Sequence, residues 1–209
     1  MHTRLKKSFG TALMVGAALT LIAMPALGAA RNDFSAALAP VPHDPVADNG
    51  SNASGDATIE YVRGTTYLVT VNATGLTPGL PHLAHIHGVV QAQNECPGAD
   101  AAGKDGLIDT LDGLPAYGPI LVTFSTEGDT SAAAGFNLET APVADEDGNL
   151  FYQREIKIKG NVAANLENLH IVVHGEDLND SGMYDGPEST LGMGILLEAE
   201  LPVACGTID

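Results

Sequence analysis

Tryptophan is absent from this 209-residue chain, and only 5 % of its residues are aromatic. Basic side chains are scarce as well: nine lysines and arginines stand against 26 aspartates and glutamates. Such a surface repels nucleic acid and anionic membranes and favours cations, so it excludes partners more sharply than it identifies one. There is no Cys-x-x-Cys pair, no serine-centred nucleophile elbow and no phosphate-cradling glycine loop, and the chemistries those motifs carry are not expected. Sustained helical periodicity is missing, and past the N-terminus no apolar stretch approaches membrane length.

The N-terminus carries Arg4, Lys6 and Lys7, then an apolar run from Thr11 to about Met24, then the small-residue stretch Pro25-Ala26-Leu27-Gly28-Ala29-Ala30. Positive start, short apolar middle and small residues at the cut describe a cleavable secretory signal peptide over residues 1–29. With no cysteine at the cut, a lipid anchor is not expected, and the mature protein is expected to be secreted, periplasmic or extracellular, with no membrane attachment. Cleavage removes three basic residues and no acidic one, leaving six against 26 and a formal charge of −20. In an oxidising compartment Cys96 and Cys205 read as one disulfide tying the C-terminus to the middle of the domain; two free buried thiols are the alternative. In the chain-entropy model a loop of that size contributes at most about 4–5 kcal/mol.

Residues 30–56 are rich in Ala, Pro, Asp, Asn, Gly and Ser without a sustained apolar period, which predicts a disordered linker in which His43 is solvated. The remaining 57–209 suits a single domain. There, short apolar bursts read as strands: Tyr67 to Val71, Ile120 to Phe124, Phe151 to Ile158, His170 to His174 and Ile195 to Leu201. Turn chemistry at Gly75-Leu76-Thr77-Pro78-Gly79, Asp147-Gly148 and Asp185-Gly186-Pro187 separates them. The expected class is all-β, an antiparallel sandwich or barrel, with two long loops over about 90–117 and 175–192.

Among seven histidines, His85-Ile86-His87 stands out. On a strand, side chains two apart share a face with Cα atoms about 6.5–7 Å apart, so two imidazoles can converge on one ion. Imidazole suits copper and zinc alike. His170 and His174 flank the β-branched Ile171-Val172-Val173, which favours a strand, and on a strand they lie roughly 13 Å apart. At most one of them joins His85 and His87.

The stretch from Gly75 through Pro78-Gly79 to His85-Ile86-His87-Gly88 resembles the approach to the active site of copper/zinc superoxide dismutases. Ile171-Val172-Val173-His174 is similar to that family's strand delivering another copper histidine, followed by an acidic, Gly-containing loop. Val203-Ala204-Cys205-Gly206 resembles its C-terminal disulfide segment, with Cys96 placed as the partner should be. The resemblance spans about Tyr67 to Ile208. It implies a Greek-key β-sandwich or barrel with two long functional loops, copper held by His85, His87 and His174, and dismutation of superoxide. The departures bear on function. No histidine lies between Gly88 and Leu169, so the bridging and zinc histidines have no counterpart and zinc is not expected. Pro202 falls where the enzymes carry a substrate-guiding arginine, and a −20 surface does not steer an anion inward. A shorter resemblance, around Ala84-His85-Ile86-His87-Gly88, is to chordin-type secreted β domains.

The loop after His174 places oxygen donors at Asp177, Asn179, Ser181, Asp185 and Glu188, with Gly182 at the turn and the Met183 carbonyl between, close to an EF-hand calcium loop without its helices. A weaker echo lies at Asp105, Asp109 and Asp112. The function expected first is a secreted copper protein, dismutating superoxide at a zinc-free mononuclear site. The alternatives are copper buffering without turnover and a non-catalytic, calcium-ordered binding module.

Overall fold

A computed structural model of the chain describes residues 33–44, 47, 52–89 and 95–209; the predicted signal peptide lies outside them. Among the described residues, eight strands form one antiparallel sheet: β1 (Asp33–Pro40), β2 (Ser54–Arg63), β3 (Thr66–Thr74), β4 (Ala84–His87), β5 (Ile120–Thr123), β6 (Leu150–Lys157), β7 (His170–His174) and β8 (Pro202–Thr207). Their spatial order is β5-β4-β7-β8-β1-β2-β3-β6. The mostly β, antiparallel class read from the sequence is what the structure shows. The sheet curls so that both halves face one core, in which Ile59, Val69, Val71 and Tyr152 from one half meet Ile86, Ile171, Val173 and Phe124 from the other. Each such buried side chain contributes about 1.5–3 kcal/mol relative to exposure.

Strand β1 makes the corner. Its first six residues pair with β2, from Asp33 opposite Glu60 to Leu38 opposite Gly55, and Ala39 and Pro40 pair with β8. A Cβ on Gly206 of β8 would run into the Ala37 carbonyl, so glycine is what lets the two strands close there. Across the seam between the outer strands, Arg154 of β6 donates to the Ser125 carbonyl just after β5 (2.7 Å) and to the Gly128 carbonyl (2.9 Å).

Three sequence expectations are corrected. The supposed linker supplies β1 and the start of β2. Its apolar residues Phe34, Ala36 and Leu38 do alternate, but with alanines too small to signal a strand, and β1 is held mainly by backbone bonds to neighbours on both sides. His43 is buried there; its Nε2 donates to the Pro202 carbonyl (2.7 Å) and its Nδ1 accepts from Ile108 N (2.9 Å). The strand read over Ile195 to Leu201 is instead a short helix, Leu197–Glu200, and the real strand β8 begins after it. Two further α-helices occur among the described residues. One, α1 (Thr110–Tyr117), lies in the first long loop, and α2 (Gly160–Ala163) precedes β7; the Leu197–Glu200 turn is α3.

Cys96 and Cys205 are joined in a disulfide across 109 residues, as expected from their sequence context. Among the described residues no helix is long and apolar enough to cross a membrane.

Candidate metal centre

On β4, Ala84 and Ile86 face the core, which turns His85 and His87 to the outer face. On β7 the same alternation puts Ile171 and Val173 inward, and His170, Val172 and His174 outward. Register then decides which histidines meet. His85 lies opposite Val172, His87 opposite His170, and the His174 amide donates to the Leu83 carbonyl. The rings of His85, His87 and His174 converge, with centroids 5.1–5.6 Å apart. One nitrogen from each lies within 4.8 Å of the others, and among the described residues this is the one His/Cys/Asp/Glu group of three or more so gathered.

The donor atoms are oriented from behind. His85 Nε2 donates to the Gly135 carbonyl (2.8 Å), His87 Nδ1 to the Gly118 carbonyl (2.8 Å) and His174 Nδ1 to the Glu200 carbonyl (2.7 Å). A carbonyl can only accept, so each of those nitrogens carries the proton, and the other keeps its lone pair. The atoms left over, His85 Nδ1, His87 Nε2 and His174 Nε2, are buried and have no hydrogen-bond partner. An unmet buried acceptor costs about 1–3 kcal/mol, and three of them aimed together fit a metal ion, with the backing carbonyls fixing tautomer and ring angle.

Burial dominates the electrostatics. It holds His85 well below the ordinary imidazole range, His87 down to about 3 and His174 to about 4; repulsion from neighbouring imidazolium adds to the first two. The folded site is therefore neutral at ordinary pH and ready to accept a cation without first losing protons.

Helix α1 closes over this face. Asp109 caps it in a reciprocal box with Asp112, and the chain leaves it at Gly118, whose φ of +78° and close approach to Gly88 demand glycine. That exit presents the Gly118 carbonyl to His87 and sets the Tyr117 ring 4.7 Å from the His87 ring. Tyr117, Ile108, Val41, Val172 and Cys205 form a second apolar cluster there.

The remaining site residues are placed as follows. His170 is buried opposite His87 with neither nitrogen bonded, and burial lowers it to about 4. His82, also buried, lies between the Thr77 and His174 carbonyls. Asp177 accepts from the amides of Ser181 and Gly182, Asn179 donates to Asp185 (2.9 Å), and Ser181 donates to the Met183 carbonyl (2.9 Å). The loop thus closes around Asp177, while Glu188 turns aside to accept from Gly194 N. In the earlier echo, Asp105 accepts from Leu107 N, and Asp109 and Asp112 are occupied with the α1 cap.

Sequence reasoning missed the backing groups. Three are carbonyls, which every residue has and no motif marks. The residue behind His174 had a faint signal: Glu198 and Glu200 stand alone in the apolar run Ile195 to Leu201, and both are buried. No protein-family model matches the chain, and no curated protein matches it.

Proposed function

We propose that this chain is an exported copper protein with the copper/zinc superoxide dismutase-like fold and a zinc-free mononuclear site. The carrying observation is the trio of buried, unpartnered nitrogens on His85, His87 and His174, each opposite a protonated nitrogen held by a carbonyl. The order of landmarks supports the family reading: His-x-His on β4, a third histidine ending β7, and a disulfide running from the loop after β4 to β8. Export is supported by the N-terminal pattern together with that disulfide.

Copper bound there would supply a one-electron couple able to take an electron from one superoxide and pass one to another. The protein's own part is to hold three neutral imidazoles in a dry pocket, which favours a borderline ion over hard ones. The −20 charge and Pro202 do not steer an anion toward it, so slow dismutation or copper buffering are the activities the surface suits best. The calcium-ordered alternative draws on the loop around Asp177, whose turns at Asp180 (φ 57°) and Gly182 (φ 81°) are already formed.

Metal content after copper loading and dialysis tests the reading. The mature protein is expected to retain one copper per chain and the His87→Ala variant none. Equal copper in both, or none in either, would sink the site. A dismutase assay on the loaded protein then separates turnover from buffering.

A further inference from the structure

Glu200 is completely buried at the end of α3, and among the described residues the donors to its carboxylate are a backbone amide and a hydroxyl, both neutral. An unpaired carboxylate in such a place is strongly destabilising unless donors surround it. The donors come from two separate loops. Oε2 accepts from Thr110 N, the first amide of α1 (2.9 Å), and Oε1 accepts from the Ser189 hydroxyl (3.0 Å). The backbone carbonyl of the same residue accepts from Thr110 Oγ1 (3.0 Å) and from His174 Nδ1 (2.7 Å). One residue therefore touches the helix that covers the histidines, the loop that follows β7, and a metal-site imidazole.

The far end of α1 completes the arrangement. Gly118 holds His87 as Glu200 holds His174, so α1 is a bar fixed at both ends to the two strands that carry the trio. A second bond, Thr190 Oγ1 to Asp109 Oδ2 (2.8 Å), joins the same two loops beside it. Its neighbour Glu198 does similar work on the acidic loop, accepting from the amides of Leu178, Asp185 and Gly186.

We propose that Glu200 is a positioning residue whose buried carboxylate clamps α1 and the Ser189 loop together and so fixes the His174 ring for metal. This rests on the trio being a metal site, although the clamp itself needs no ion. Replacing the carboxylate leaves the Glu200 carbonyl in place, so any effect on His174 must travel through the clamp. Gln keeps an acceptor for Thr110 N and offers an amide to the Ser189 oxygen; Ala removes both arms.

The test uses the full mature chain as wild type, Glu200→Ala, Glu200→Gln and Ser189→Ala. In the metal-free protein, the slowly exchanging His174 Nδ1 proton, read by NMR, is expected in wild type and Glu200→Gln and broadened or lost in Glu200→Ala. Amide exchange at residues 110–113 should quicken with it. With copper added, affinity should fall about 10–100-fold in Glu200→Ala, the usual loss for an orienting partner behind a metal ligand. It should recover in Glu200→Gln to within about threefold of wild type, and the Cu(II) EPR spectrum should become heterogeneous only in the alanine variant. If Glu200→Ala does not fold, Ser189→Ala removes one arm and should show the same changes in smaller degree. An unchanged His174 proton and unchanged amide exchange in the folded variants would overturn the clamp. A wild type that shows both signals but takes no copper would overturn the metal reading instead.

Discussion

The two halves of the one sheet are built on different rules. In β1, β2, β3 and β6, buried residues alternate with exposed ones, and Asp56, Glu60, Asn72, Phe151, Gln153 and Glu155 face solvent. That is the ordinary antiparallel pattern of one packed and one wet face. In β4 and β7 every residue is buried, because loops cover the outer face as the core covers the inner one. The cover has apolar layers of its own, one around Tyr117, Val172 and Cys205 and another around Leu83, Ile195 and Ala199. All four strand histidines lie in the covered half. A metal site needs imidazoles that are dry, neutral and held at fixed angles, and the wet half could offer none of these.

Introducing a charge should separate the halves most sharply. Val172 is fully buried on the outer face of β7 beneath Tyr117 and the disulfide. Val172→Asp places an unpaired carboxylate there and is expected to cost more than about 4 kcal/mol, enough to unfold a marginal domain. Phe151, 67 % exposed on the other half, should accept threonine within about 0.5 kcal/mol. Denaturant melts of both variants check this; a Val172→Asp protein as stable as Phe151→Thr would mean the cover is not closed.

The same contrast explains what could be read in the sequence. β7 was legible because Ile171-Val172-Val173 is β-branched throughout, and the site because His85 and His87 are two apart on a strand. β1 was not legible, since alanine and proline give no hydrophobic signal and one of its two partners, β8, lies at the far end of the chain. Helix α1 escaped notice because eight residues containing Gly113 and Pro115 have little helical propensity of their own. It is held by its cap, by Glu200 and by the cluster around Tyr117, which are tertiary facts. Choosing His174 over His170 needed register, because both occupy the same face of one strand. The family resemblance singled out His174, and the structure gathers it with His85 and His87.

Acid should find the covered half first. His87 lies at about 3, and His170 and His174 at about 4, in the folded protein, all lowered mainly by burial. The unfolded chain, with imidazoles near about 6.5, binds more protons between that value and about 4. Stability is therefore complete above about pH 6.5 and falls as pH drops through this window, by several kcal/mol in total on linkage grounds. Glu200, raised by burial, works in the opposite sense and offsets part of the loss. Hydrogen exchange on the metal-free protein should show β4 and β7 losing protection between pH 6.5 and 4 while β2 and β3 keep theirs. Loss of protection uniformly across the sheet would show the halves to be one cooperative unit.

The smallest expected effect is also the most local. Asp109 accepts from Asp112 N (2.9 Å) as the cap of α1 and from Thr190 Oγ1 (2.8 Å) in the second long loop. Asp109→Ala should cost about 1 kcal/mol, the usual value of an N-cap. Asp109→Ser restores a capping oxygen but is too short to keep Thr190, so it should recover most of the helix and little of the loop contact. If the cover is a layer of separable pieces, amide protection in α1 falls in the alanine variant while β4 and β7 stay protected. If it is a single lid, the strands loosen together with the helix. The clamp at Glu200 favours the single lid, because Thr110, the residue next to the cap, is fixed to the carboxylate and the carbonyl of the residue that also holds His174. Loosening of α1 should therefore reach His174 before it reaches any strand of the open half.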